Sequence, residues 1–457
     1  MSTNESTRAF PKGFLWGVAT ASYQIEGAVN EAGRVPSIWD TFSHTPGKVF
    51  NGDTGDIACD NYHRYSEDIQ QISDLGAHSY RLSLSWPRIM TETGQVNQAG
   101  LDHYKRLIDE LLERGIDPAV TLYHWDLPQW IEDDGGWLNR DTVGYYTQYV
   151  ETVFRHLNDT VPKFITQNEP WCASMLGYGL GHHAPGLRDW RKAYRAAHHL
   201  LLSHGEAVKL YRAMGGKGQI GITLNLTHVY PGSSSEADVA AARRQDIFLN
   251  RWFLDPLTKG SYPSEYFERL RPFVGPLDFI RDEDMESIST EFDFLGVNFY
   301  NPAHVVDDPE DNSLTGVKQV STGRERTAMG WEIEPEGLYD LLKRLQDCTD
   351  KPLYITENGA AFEDVVVDGR VADTERIAYL HGHIAALQRF VAEGGNLKGY
   401  YVWSLLDNFE WAFGYSKRFG LIYVDFETQQ RIRKDSFTWF GQLVAGNGLP
   451  AMARSIE

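Results

Sequence analysis

Two short segments each carry a glutamate in a setting suited to catalysis: Thr166-Gln167-Asn168-Glu169-Pro170 and Ile355-Thr356-Glu357-Asn358-Gly359. Each follows a short β-type apolar run, residues 163–165 and 351–355. Two carboxyl groups facing one cavity are the minimal machinery for breaking a glycosidic bond. A glutamate just after a strand lies where a closed (β/α)8 barrel gathers its reactive groups, the C-terminal mouth. The glutamates are far apart in sequence, so the fold has to bring them together.

The elements able to do so recur along the chain. Residues 14–19, 79–84, 118–123, 163–167, 219–224, 294–299, 352–356 and 399–403 read as strands, with helical periodicity between them. Over 101–114, for example, Leu101, Tyr104, Ile108, Leu111 and Leu112 share one face, and Lys105, Arg106, Asp109 and Glu113 the other. Gly115 follows as a stop. Eight strand–helix alternations indicate a parallel sheet. Closure is favoured over an open sheet because no Gly-rich phosphate turn follows the first strand. The reading is α/β: a single (β/α)8 TIM barrel over 1–457, with extended loops at its C-terminal mouth. Residues 307–326 form a long mouth loop in this reading.

The residues at the strand ends share a character. Gln24 and Glu26 follow the first strand, Arg81 lies within the second, and His124 and Trp125 follow the third. Asn168 and Glu169 follow the fourth, and Asn298 and Tyr300 lie within or just after the sixth. Glu357 ends the seventh and Trp403 the eighth, with Glu410 and Trp411 just beyond. Directional polar groups beside indoles suit a sugar, whose hydroxyls need donors and acceptors and whose C–H faces need a flat platform. Each residue alone has a plainer role, such as a solvated loop charge or core packing. Their coincidence at one end of one barrel points to a site.

The composition sets bounds. At 42% hydrophobic and 23% charged, the 457 residues can build a large core. A net charge of −20 opposes nucleic acid and anionic lipid as partners. No window approaches the roughly 18 apolar residues of a membrane span. Residues 1–8 are polar and lack the pattern of a secretory signal. Cys59, Cys172 and Cys348 are too few and too scattered for a disulfide framework. A cytoplasmic protein is expected, and a homo-oligomer is compatible with the sequence. The pairs His182-His183, His198-His199 and His381/His383 match no metal-binding pattern, so no metal and no cofactor are expected.

With these residues in view, the chain resembles glycoside hydrolase family 1, the β-glucosidase-like retaining hydrolases. The resemblance runs from Phe10-Pro11 to about Trp439. It is carried by Phe14-Leu15-Trp16-Gly17, Gln24-Ile25-Glu26-Gly27, Tyr80-Arg81-Leu82-Ser83 and Trp86-Pro87-Arg88. Tyr123-His124-Trp125-Asp126, Asn168-Glu169-Pro170, Thr356-Glu357-Asn358-Gly359 and Asp407-Asn408-Phe409-Glu410-Trp411 complete it. The resemblance implies Glu169 as general acid/base and Glu357 as nucleophile, with Arg81 and Tyr300 bonded to the latter. It implies Asn168 on the sugar 2-hydroxyl, and Gln24, His124, Glu410 and Trp411 on the other hydroxyls. Trp403 is the implied glycone floor, and Asn225 and Trp331 leaving-group contacts. Trp125, Asn298 and Phe419 complete the substrate-binding set. The implied substrates are small β-glucosides, such as cellobiose or aryl glycosides, with galactosyl or fucosyl groups as further glycones.

Gln167 departs from the family's usual apolar residue, and the adjoining glutamate is intact. Glu410 opposes a 6-phospho-glycosidase, although Tyr415 and Lys417 lie close by in sequence. A non-catalytic sugar-binding barrel and a transglycosidase are also compatible with the same scaffold. The retained pair of glutamates speaks against the first, and the second differs only in what intercepts the glycosyl ester.

Overall fold

The computed structural model describes residues 9–92 and 94–450. The N-terminal segment 1–8, read above for its polarity, lies outside them. Eight parallel strands close into a barrel: β1 Leu15–Ala19, β2 Ser79–Ser83, β3 Asp117–Thr121 and β4 Lys163–Asn168, followed by β5 Gln219–Asn225, β6 Phe294–Asn298, β7 Leu353–Asn358 and β8 Leu397–Trp403. Neighbours pair in sequence order, and β1 pairs with β8 to complete the circle. Strand residues are buried almost throughout, because the barrel interior covers one face and helices the other. That two-sided burial explains why these strands read as apolar runs in the sequence.

Each barrel strand lies within two residues of its expected limits. The expected helix over 101–114 spans Gln98–Glu113, with Leu101, Tyr104, Leu107, Ile108 and Leu111 buried. Leu112 is only half-buried, and Leu107 takes its place in the core face. Gly115 adopts φ +72°, and the N–H of Ile116 caps the carbonyl of Leu111 at 2.9 Å.

The mouth differs from expectation. Within the stretch read as the loop 307–326, Val317–Gln319 forms a strand antiparallel to Ala303–Asp307, which also pairs with Val229–Pro231. These strands have three to five residues and no apolar alternation, so the sequence carried little sign of them.

The ladders are irregular at three places, one of them at the start of β8, where Leu397 to Gly399 advances two residues while β7 advances one. Between Ile165 and Asn168, β4 advances three residues while β5 advances two. Between Ile355 and Glu357, β7 advances two while β6 advances one. Both strands therefore carry one extra residue just before their glutamates.

Candidate active site

Glu357 is the penultimate residue of β7 and is 3% exposed. Arg81, projecting from β2, donates through Nη1 to Glu357 Oε1 at 2.6 Å and to the Thr356 carbonyl at 3.0 Å. Its Nη2 donates to Asn168 Oδ1 at 2.6 Å, and its Nε to Thr121 Oγ1 at 3.3 Å. Tyr300, two residues beyond β6, donates its hydroxyl to Glu357 Oε2 at 2.6 Å. Gly359 has no room for a side chain, since a Cβ there would fall on the carbonyl oxygen of Trp403. The turn after Glu357 can thus press directly against the end of β8.

Glu169 follows β4 directly, is 5% exposed, and sits in the left-handed region at φ +48°. Its N–H donates to the Thr223 carbonyl at 2.9 Å. Trp125 and Trp411 share this conformation, at φ +76° and +49°. Such backbones cost about 1–3 kcal/mol each and cluster at functional sites. Asn298 donates through Nδ2 to Glu169 Oε1 at 2.6 Å and to Asn168 Oδ1 at 3.1 Å. The Asn298 side chain reaches Glu357 as well. Thr356 donates to Asn298 Oδ1 at 2.7 Å, turning the amide so that its NH₂ meets the carboxyl groups.

The two glutamates have unlike electrostatic surroundings. Burial raises the Glu169 carboxyl, the negative Glu357 raises it further, and it reaches about 7. Burial also raises Glu357, but Arg81 and the Tyr300 hydroxyl oppose that rise. Glu357 is therefore the one held in readiness as the anion. A third carboxyl, Glu410, is pushed to about 8 by burial and then by Glu357 and Glu169.

Around the carboxyls lie polar atoms with no protein partner among the described residues. His124 Nε2 faces Asn168 Nδ2 at 3.1 Å, and its Nδ1 is buried without a bond. Burial, reinforced by Arg81, holds that imidazole well below its usual range and hence neutral. Its Nε2 then accepts from the amide, which leaves an N–H on Nδ1. Gln24 Nε2 donates to the Phe409 carbonyl at 2.9 Å and lies 3.5 Å from Glu410 Oε2, while Gln24 Oε1 is left over. An unpartnered buried donor and an unpartnered buried acceptor are what ring hydroxyls can satisfy.

Aromatic rings complete the walls. The His124 ring runs nearly parallel to Trp403 (17°) and Trp411 (15°). Trp125 Nε1 donates to the Asn168 carbonyl at 2.9 Å. Tyr300, Trp331 and Phe419 pack together, with centroids 5.2–6.2 Å apart.

These groups enclose a cavity of about 350 Å³. Glu169, Glu357, Tyr300, His124, Trp125 and Asn298 line it. So do Trp403, Glu410, Trp411, Phe419, Asn225 and Trp331. Arg81, Asn168 and Gln24 are not in its lining and stand one hydrogen bond behind it. Cys172, His183, Gln319 and Met329 also line the cavity and were not singled out as site residues from the sequence. Cys172, three residues beyond Glu169, bonds its carboxyl and could have been inferred from that spacing. Met329 similarly precedes Trp331 by two residues. Gln319 carries no signal in the sequence, and His183 belongs to a pair whose spacing points to nothing beyond a metal pattern it does not match.

The remaining histidine pairs serve packing. His198 bonds Tyr262 and Asp284, His199 the Trp137 carbonyl, and His383 the Tyr379 carbonyl. Among the described residues, no group of three or more His, Cys, Asp or Glu is placed to hold a metal. No helix among them is long and apolar enough to cross a membrane.

Residues 6–449 match the family described as Glycosyl hydrolase family 1. The chain belongs to that family. This family 1 chain is 51% identical over 443 residues to the beta-glucosidase A of Acetivibrio thermocellus, covering 96% of this chain and 99% of the relative. It is 47% identical over 462 residues to a bifunctional beta-D-glucosidase/beta-D-fucosidase of Bifidobacterium breve, covering 96% and 99% respectively. Among solved structures it resembles the Thermotoga maritima family 1 glycoside hydrolase complexed with a cyclophellitol analogue transition state mimic. There the TM-score is 0.93 at 50% identity, covering 97% of this chain and 99% of that one.

Proposed function

We propose that this family 1 chain is a retaining β-glucosidase, removing terminal β-D-glucosyl groups from small oligosaccharides and aryl glucosides. One observation carries the reading: Glu169 and Glu357 line one buried cavity, linked by Asn298, with a cation and a phenol on Glu357 and neither on Glu169. In the first step a Glu357 oxygen bonds to the anomeric carbon as the bond to the aglycone oxygen breaks, and Glu169 gives that oxygen its proton. Esterification erases the charge on Glu357, so the Glu169 pKa falls. In the second step Glu169 takes a proton from water, the water oxygen bonds to the anomeric carbon, and the ester breaks. Glu357 is free again.

Arg81 and Tyr300 stabilise the nucleophile, and Asn168 meets the 2-hydroxyl. Gln24, His124, Glu410 and Trp411 grip the other hydroxyls over the Trp403 floor. Trp125 and Asn298 brace the acid side, while Asn225, Trp331 and Phe419 receive the leaving group. The Bifidobacterium breve relative supports extending the glycones to fucosides. A 6-phosphate meets no lysine or arginine in the cavity lining. Lys417 is bonded to the Ala328 carbonyl and Tyr415 to the Thr54 carbonyl. A cytoplasmic setting and a place in the breakdown of cellulose fragments extend the reading, the former supported by three free cysteines.

The test is a panel of 4-nitrophenyl β-glycosides with product anomers followed by NMR. Glucoside hydrolysis giving first the β-anomer is expected. Inversion, or no turnover of any neutral glycoside, would overturn the reading.

A further inference from the structure

Away from the cavity, a second set of charged side chains is withdrawn from solvent. Lys434 Nζ donates to Asp407 Oδ1 at 2.7 Å and to Asp364 Oδ2 at 2.6 Å, and all three residues' side chains are at most 2% exposed. Arg418 donates to Asp407 Oδ2 at 2.7 Å. Arg376 holds Asp364 through both terminal nitrogens, at 3.0 and 2.8 Å, and Asp373 at 2.5 Å. Three cations thus meet three aspartates and the cluster is neutral.

Asp407, Arg418 and Asp364 come from the loops that carry the proposed site, whereas Arg376 lies in the helix Thr374–Ala392 and Lys434 precedes the helix Asp435–Gly446. Asp407 closes the neck of loop 404–421: its N–H donates to the Ile422 carbonyl and its carboxylate accepts from the Gly420 N–H, each at 2.9 Å. Glu410, Trp411 and Phe419 are displayed by that loop. Asp364 belongs to the segment leaving β7 just after Glu357, and Arg376 pins its Ala360 carbonyl at 3.3 Å. The stretch with Met329 and Trp331 leans on both: the Ala328 N–H donates to the Ala361 carbonyl, and Lys417 Nζ donates to the Ala328 carbonyl, each at 2.8 Å.

We infer that Lys434 is a positioning residue that fixes Glu410 relative to Glu357 by holding Asp407 and Asp364 together. This rests on the reading of the site given above. Without the ammonium, two buried anions face each other across the junction of the two loops and repel, and the neck of loop 404–421 loosens. The groups reaching the reacting carbon stay on β4 and β7. The groups gripping the far side of the sugar move.

The test compares kcat/KM of wild type and Lys434→Met on 4-nitrophenyl β-D-glucoside and on its 6-deoxy analogue, which lacks a hydroxyl for Glu410 to hold. The ratio of the two is independent of the fraction of active protein, so general destabilisation does not alter it. Expected for Lys434→Met is a loss of about tenfold on the glucoside and under about threefold on the 6-deoxy substrate. An unchanged ratio overturns the inference. If that variant does not accumulate folded, Arg418→Gln, at the 18% exposed edge of the cluster, is measured the same way. A smaller shift in the same direction is expected, and no shift overturns the inference. Wild type that fails to hydrolyse the glucoside sinks the proposed function, and this inference with it.

Discussion

Arg81 bonds Glu357 and not Glu169, while Asn298 reaches both: a guanidinium nitrogen lies 2.6 Å from Glu357 Oε1, and the amide nitrogen lies 2.6 Å from Glu169 Oε1. A fixed positive charge on one carboxyl and a neutral donor on the other separate an anion from an acid at the same pH.

Replacing Glu357 by alanine is expected to lower glucoside hydrolysis by at least ~10⁴-fold while leaving inhibitor binding measurable by calorimetry. In wild type, a 2-fluoroglucosyl label should be found on Glu357 by peptide mass spectrometry. A label on any other residue would remove Glu357 from its proposed role.

For Glu169→Ala, loss should follow leaving-group need. Cellobiose turnover is expected to drop ~10³-fold or more, whereas the first step with a dinitrophenyl glucoside stays fast, since that group departs without a proton. Azide should then restore turnover and yield a β-glucosyl azide. Wild-type activity of this variant on cellobiose would exclude the assignment.

The rate should follow a bell in pH. Glu169 works protonated and is pushed up to about 7, so kcat/KM is expected to decline above roughly that pH. The acid limb belongs to Glu357, which must be ionised. Arg81→Lys keeps the charge but loses the planar fork shared by Glu357 and Asn168, so the acid limb should move to higher pH with a fall of ~10²-fold. Profiles that superimpose would remove Arg81 from the control of Glu357.

Stability should fall as the solution becomes alkaline. Burial raises Glu169 to about 7, and Glu410 and Asp126 to about 8, so the folded chain retains protons that the unfolded chain has already shed. Their stabilising contribution is complete below the unfolded values near 4 and is lost as pH rises through 7 to 8. Thermal unfolding followed by circular dichroism should show Tm falling from about pH 5 to 8. Glu410→Gln, with nothing to titrate, should flatten the slope, and an equal slope would contradict the sign.

Tyr300→Phe removes one hydrogen bond to an ionised carboxylate, worth about 1.5–3 kcal/mol. A fall in kcat/KM of ~10- to 100-fold is expected, with Tm little changed. An undiminished rate would mean that the 2.6 Å contact plays no part in catalysis.

The barrel was legible because strands such as Phe294–Asn298 are buried on both faces, which leaves short apolar runs recurring between amphipathic helices. The start of the helix at Gln98 was not, since its first residues face solvent and share no side with the core. Around the cavity, residue type foretold presence but not partnership. Nothing in the sequence ties Thr356 to Asn298, or Asn298 to both glutamates, because those bonds cross between strands whose register is set by the whole barrel. Val317–Gln319 stayed hidden for a related reason: it pairs with a segment from the end of β6 and gains little from burial.

Side chains in a strand alternate faces, so the surplus residue in β4 and in β7 decides on which side of the wall the following glutamate emerges. The two strands consequently tolerate exchanges of side chain far better than changes of length. Deleting a single residue from 165–168 or 355–356 would turn the carboxyl outward among the helices. Drift can exchange the neighbouring strand residues, but at these two points it cannot alter the spacing of the chain.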